Sequence, residues 1–157
     1  MHAAKTSIAA LTFSVAATLF AGASFAAEPS VKLQKKDVPE AVMAAFKAAY
    51  PQAKVNAYLR ETRDGKTVYE LESTEKNVKR DIIYSGAGEA LEIEEGLSPS
   101  ALPEPVKAAV AKAHPGRKIT AAEKVMKGSS TMYEAMIQVD GKKVTLLFLA
   151  DGTAIKP

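Results

Sequence analysis

Apolar residues recur at a helical spacing in two places. Val42, Ala45, Phe46 and Ala49 fall at i, i+3, i+4 and i+7, and so do Val106, Ala109, Val110 and Ala113. Each set predicts an amphipathic helix with one buried stripe. Pro39 and Pro103 suit a first helical turn, and Pro51 and Pro115 end the pattern. Beyond each helix the apolar period drops to two, broken by turn-forming pairs. These are Asp64-Gly65, Lys76-Asn77 and Ala87-Gly88, then Gly128-Ser129, Asp140-Gly141 and Asp151-Gly152. Three turns after each helix predict four antiparallel strands.

The two halves share residues as well as pattern. At an offset of 64, Pro39-Glu40, Val42, Ala44-Ala45, Ala49, Pro51, Tyr69-Glu70 and Gly88 recur as Pro103-Glu104, Val106, Ala108-Ala109, Ala113, Pro115, Tyr133-Glu134 and Gly152. A fixed offset held without gaps predicts a tandem duplication. The expected fold class is α+β: two tandem repeats, each a helix plus a four-stranded antiparallel sheet, with the helix packed on one sheet face and the other face open. The predicted organisation is a signal peptide at 1–26, an N-terminal extension at 27–37, repeat 1 at 38–95, a linker at 96–101 and repeat 2 at 102–157.

Alternation assigns a face to each strand residue. The helix-facing set is expected to hold Val55, Ala57, Leu59, Tyr69, Leu71, Ile82, Tyr84, Leu91 and Ile93 in the first half. In the second it holds Ile119, Ala121, Val125, Tyr133, Ala135, Ile137, Val144, Leu146, Phe148 and Ile155. The open face is where a partner could sit, because no helix remains to cover it. Its expected contact residues are Tyr58, Arg60, Glu72 and Asp81 in an acidic, polar half and Met132, Met136, Leu147 and Leu149 in an apolar half. A contiguous apolar strip on a surface usually marks a contact. The same register sets Arg60 across from Glu70 and Lys124 across from Glu134, as cross-strand ion pairs rather than catalytic carboxylates.

The Leu/Val-Pro-Glu helix ending at Tyr/His-Pro, the strand carrying Tyr69-Glu70 or Tyr133-Glu134, and the last turn with Gly88 or Gly152 resemble the PepSY-like, beta-lactamase-inhibitor-like exported bacterial proteins. The likeness covers both halves, roughly 38–156. It implies open sheet faces that form a concave surface, and a binding or inhibitory role rather than catalysis. Relatives of that fold include a protein that clamps beta-lactamase and propeptide domains that restrain metalloproteases.

The first 26 residues change the picture of location. Lys5 precedes an apolar run from Ile8 to Phe20, which closes in the small-residue exit Ser24-Phe25-Ala26 before Ala27. That order predicts a cleaved secretory signal and a periplasmic or secreted protein. The run falls short of the roughly 20 residues of a spanning helix, so no stable membrane anchor is expected. The 157 residues contain no cysteine, so packing rather than disulfides must hold an exported domain of this size together.

Composition narrows the chemistry. The formal net charge is only +3, and the Lys35-Lys36 and Lys142-Lys143 pairs are short and lack interleaved aromatics, which argues against nucleic acid. After cleavage His114 is the only histidine, at the end of the second helix where it suits the carbonyl terminus. With no thiol and one imidazole, no catalytic residue, protein-built metal site or cofactor is expected, and the chain is expected not to be an enzyme. The leading expectation is a non-enzymatic periplasmic module that holds a protein or peptide on its open sheet faces. An alternative from another class is metal handling, with Met126, Met132 and Met136 brought together by the hairpin around Ser129 to offer thioethers, aided by nearby carboxylates.

Overall fold

The backbone of each half is set by its prolines and its tight turns. The computed structural model describes residues 30–156, so the predicted signal segment lies outside the described residues. Helix α1 runs Glu40–Ala49 with Pro39 at its N-cap, and α2 runs Glu104–Ala113 with Pro103 there. Tyr50 and His114 cap the C-termini, their N–H groups each donating 2.8 Å to Phe46 and Val110 carbonyls. A short 3-10 turn precedes each helix, Lys35–Asp37 and Pro99–Ala101.

The strands are β1 Val31–Lys32, β2 Lys54–Arg63, β3 Lys66–Glu75, β4 Val78–Ser85 and β5 Ala90–Leu97. They continue as β6 Ile119–Lys127, β7 Ser130–Val139, β8 Lys142–Phe148 and β9 Ala154–Ile155. Four of the connections are two-residue hairpin loops: Arg63 pairs with Lys66, Glu75 with Val78, Lys127 with Ser130, and Val139 with Lys142. Their central residues accept positive φ, at Asp64 (52°) and Gly65 (72°), Lys76 (49°) and Asn77 (67°), Gly128 (57°), and Asp140 (50°) and Gly141 (77°). This is the backbone that matches the twist of the flanking strands.

The expected division into two helix-plus-four-strand repeats does not hold. Among the described residues the nine strands form one antiparallel sheet in chain order, β1 to β9, and the only α-helices are the two ten-residue segments. The reason is edge pairing. A four-stranded sheet ending at β5 would leave its backbone donors and acceptors unpaired, and six residues of β5 instead pair with β6, from Glu92 opposite Lys127 to Leu97 opposite Ala122. Gly96 and Leu97, expected in the linker, are the end of β5.

Both helices lie on the same side of this sheet. Val38, Val42 and Phe46 pack with Leu71, Ile82 and Tyr84, and Ile93 joins them. Leu102, Val106 and Val110 pack with Ala122, Ala135, Ile137 and Phe148, and Leu97 joins them. Ile93 and Leu97 share one face of β5, so the two clusters sit side by side on that face. Gly88 and Gly152 seat the last turn of each half beneath its helix. Both have φ of 84°, and a Cβ would stand 2.5 Å from the Ala41 carbonyl oxygen or 2.6 Å from that of Pro105.

Candidate functional site

Two-residue loops at Asp64-Gly65 and Gly128-Ser129 fix which side chains of the long hairpins reach the helix-free face, and a single-residue insertion shifts the register at the far end of each. The pairing of β2 with β3 skips Asn56 between Val55 and Ala57, and that of β6 with β7 skips Thr120 between Ile119 and Ala121. A bulge of this kind exchanges the faces of everything beyond it. Each bulged side chain is tied down: the Asn56 amide donates 2.8 Å to the Thr74 hydroxyl, and the Thr120 hydroxyl donates 3.1 Å to the Met136 carbonyl.

The resulting register corrects several expectations. Tyr58 stands opposite Leu71 and packs in the α1 core, and Arg60 stands opposite Tyr69, so both belong to the helix-covered side. Ala57 and Leu59, expected under the helix, face the other way opposite Glu72 and Glu70. In the second half Ala121, Val125 and Ile155 make the same exchange, opposite Met136, Met132 and Leu147. The expected ion pairs fail with the register, since Glu70 pairs with Leu59 rather than Arg60 and Glu134 with Glu123 rather than Lys124. Met126 lies opposite Thr131 and Ile93 on the helix-covered side, away from Met132 and Met136, so the three thioethers do not converge. No group of three or more His, Cys, Asp or Glu among the described residues is placed to hold a metal ion.

Glu72, Asp81, Met132, Met136 and Leu147 do share the helix-free face, and Leu149 is 40% exposed in the turn after β8. Sequence reasoning missed Leu59, Glu61, Arg63, Glu123 and Val125 there. Counting outward from two-residue loops at Asp64-Gly65 and Gly128-Ser129 would have found them. The floor of this face is apolar: Val68, Ile83, Val125 and Met136 are all 6% exposed or less. Around them stand carboxylates in rows. Glu72, Asp81 and Glu94 are direct cross-strand neighbours on β3, β4 and β5, and that row continues to Val125 and Met132. Glu123 and Glu134 are direct neighbours on β6 and β7.

Only part of this charge is compensated. Arg63 reaches Glu61 at 2.9 Å and Glu92 at 3.3 Å, and Lys127 reaches Glu92 at 3.0 Å. Burial, then a hydrogen bond shared with Glu61 and the charges of Glu61 and Asp81, push Glu70 up to about 8, against a weaker pull from Arg63. Burial also acts on Glu61, but hydrogen bonds from protonated Glu70 and from Arg63 bring it below its ordinary value, so the proton of the pair sits on Glu70. Burial and the charges of Glu134, Glu92, Glu123 and Asp81 push Glu94 to about 7. Asp81 is raised by burial, Glu72 and Glu123 with Lys79 opposing, and Glu134 by burial, Glu123 and Glu92 with Lys143 opposing.

No protein-family model matches the chain and no curated protein matches it. Solved structures do resemble it. A Bacteroides eggerthii protein whose description infers a periplasmic location aligns with a TM-score of 0.66 at 16% identity, over 76% of this chain and 86% of that one. A DUF2874 family protein of Bacteroides uniformis gives 0.64 at 19%, over 75% and 86%. A BLIP-like protein of Bacteroides fragilis gives 0.58 at 21%, over 74% and 83%. At these identities the likeness establishes a shared fold. No helix among the described residues is long and apolar enough to cross a membrane.

Proposed function

We propose that the chain is a non-enzymatic periplasmic binding module that holds a protein or peptide on its helix-free sheet face, with inhibition as one use of such a grip. The observation that carries this reading is that face itself, where an apolar floor and rows of carboxylates lie on a sheet whose helices are all on the other side. The fold it shares with a BLIP-like protein and with a protein inferred to be periplasmic supports the same role. So does the leader-like segment at 1–26. His114 caps α2 away from the face, and the chain has no thiol, which supports binding over catalysis.

The chain is further read as a duplicated PepSY-like unit. Both helices, both 3-10 turns, both bulges and both seated glycines stand 64 residues apart. In this reading duplication doubled the width of the sheet, and with it the surface that a partner can touch.

Capture from periplasmic extract tests the function. Met132 and Leu147 are partly exposed, so Met132→Lys with Leu147→Lys should leave the thermal midpoint within a few degrees while abolishing capture by the immobilised mature protein. Equal capture by the variant would remove this face from function. Met136, 6% exposed, is unsuited to the test because a lysine there would bury a charge.

A further inference from the structure

We infer that the helix-free face selects an extended segment of a partner protein that presents two Lys or Arg side chains and then an apolar one at successive alternate positions, on one face of the segment; this rests on the binding role proposed above. The rows on the sheet carry the argument. Glu72, Asp81 and Glu94 stand directly opposite one another on adjacent strands, as do Glu123 and Glu134. Like charges in direct cross-strand register are destabilising. None of the five enters an ion pair among the described residues: Arg63 and Lys127 go to Glu61 and Glu92, and Lys79 and Lys143 act on Asp81 and Glu134 only at longer range. The fold therefore carries acidic charge that it does not neutralise, and the raised proton affinity of Asp81, Glu94 and Glu134 is the electrostatic counterpart.

Spacing and composition narrow the occupant. Neighbouring strands lie about 4.8 Å apart, so the Glu72-Asp81-Glu94 row spans about 10 Å, within reach of two cationic side chains at alternate positions of an extended segment, about 7 Å apart. The same row runs on past buried Val125 to partly exposed Met132, which offers apolar contact to the next side chain. A second copy docked face to face would set one acidic face against another, because a two-fold contact uses the same patch on both partners. A lone metal ion lacks the convergent ligands it needs.

The test uses the mature protein and three labelled octapeptides: SKSKSVSV (Lys-Val), SKSKSSSS (Lys-Ser) and SESESVSV (Glu-Val), in which the paired residues share one face of the extended chain. Lys-Val should bind best and Glu-Val not at all. Affinity for Lys-Val should fall about tenfold or more between 50 and 500 mM NaCl, as screening of an exposed charged face requires. The triple variant Glu72→Gln, Asp81→Asn, Glu94→Gln should lose affinity by a similar factor while its thermal midpoint at pH 7.5 is no lower than wild type. If that variant misfolds, the salt series and a Glu123→Gln, Glu134→Gln double variant carry the same decision. Equal binding of Lys-Val and Glu-Val, undiminished binding by the neutralised variants, or no binding of any peptide would overturn the inference. The binding role stands or falls separately on extract capture: loss with Met132→Lys, Leu147→Lys but not with the neutral triple would sink the charge preference alone.

Discussion

At the scale of single residues, the most sensitive positions are those where backbone meets backbone. Gly88 combines a φ of 84° with a closest approach that would put a Cβ 2.5 Å from the Ala41 carbonyl, a contact that a rigid helix turn cannot relieve. Gly88→Ala should cost about 2–4 kcal/mol in urea unfolding, from left-handed strain and overpacking together. Gly65→Ala is the control: its φ is 72° but nothing lies within 4 Å, so only the conformational term of about 1–2 kcal/mol applies. Equal losses at the two sites would mean that the turn is not seated on α1. Phe46, 3% exposed and 5.6 Å from the Tyr50 ring centroid, anchors the same helix. Phe46→Ala should cost about 3–5 kcal/mol, and a loss below about 1 kcal/mol would place it outside the core.

Elements were legible in the sequence to the extent that their signals are local. The helix limits follow from Pro39, Pro51, Pro103 and Pro115, and the hairpins from their Asp-Gly and Lys-Asn pairs, because each is decided within a few residues. Register was legible only near the turns: counting from the two-residue loops turns Tyr58 inward and Val125 outward, whereas Asn56 and Thr120 look like ordinary strand positions and the residue inserted there is what returns Val55 and Ile119 to the helix side. The seam was not legible, because nothing in residues 90–97 announces that β5 pairs with β6 rather than ending a sheet. The seam has a measurable consequence. With β5 and β6 sharing backbone hydrogen bonds, and the Glu92–Lys127 ion pair across them, the two halves should unfold together. Circular dichroism and tyrosine fluorescence should give one coincident urea transition. Two separated transitions would show halves that are energetically independent.

For the molecule as a whole, the carboxylate face should reverse the usual dependence of stability on pH. Glu70 at about 8 and Glu94 at about 7 hold protons in the folded state that an unfolded chain, with glutamates near 4.5, has released; Asp81 and Glu134 are raised in the same sense. Between these values the folded state binds more protons than the unfolded, so the free energy of unfolding must fall as pH rises. The stabilising protonation is complete below the unfolded values and is lost through pH 7 to 8. Glu61, lowered by its hydrogen bonds with Glu70 and Arg63, acts in the opposite sense, but at a pH below this window. The thermal midpoint should therefore decline from pH 5 to pH 8.5, added salt should recover part of the loss, and Glu94→Gln with Glu70→Gln should flatten the slope. A midpoint that is constant or rises over that range would show that burial and mutual repulsion do not hold these carboxyls protonated in the folded chain. The same linkage ties stability to binding. A cationic segment laid on the face favours the ionised carboxylates, so docking near pH 6.5 should release protons, seen as a buffer-dependent binding enthalpy in calorimetry. It should also raise the thermal midpoint more at pH 8 than at pH 5, where the face is already protonated and has less charge to offer.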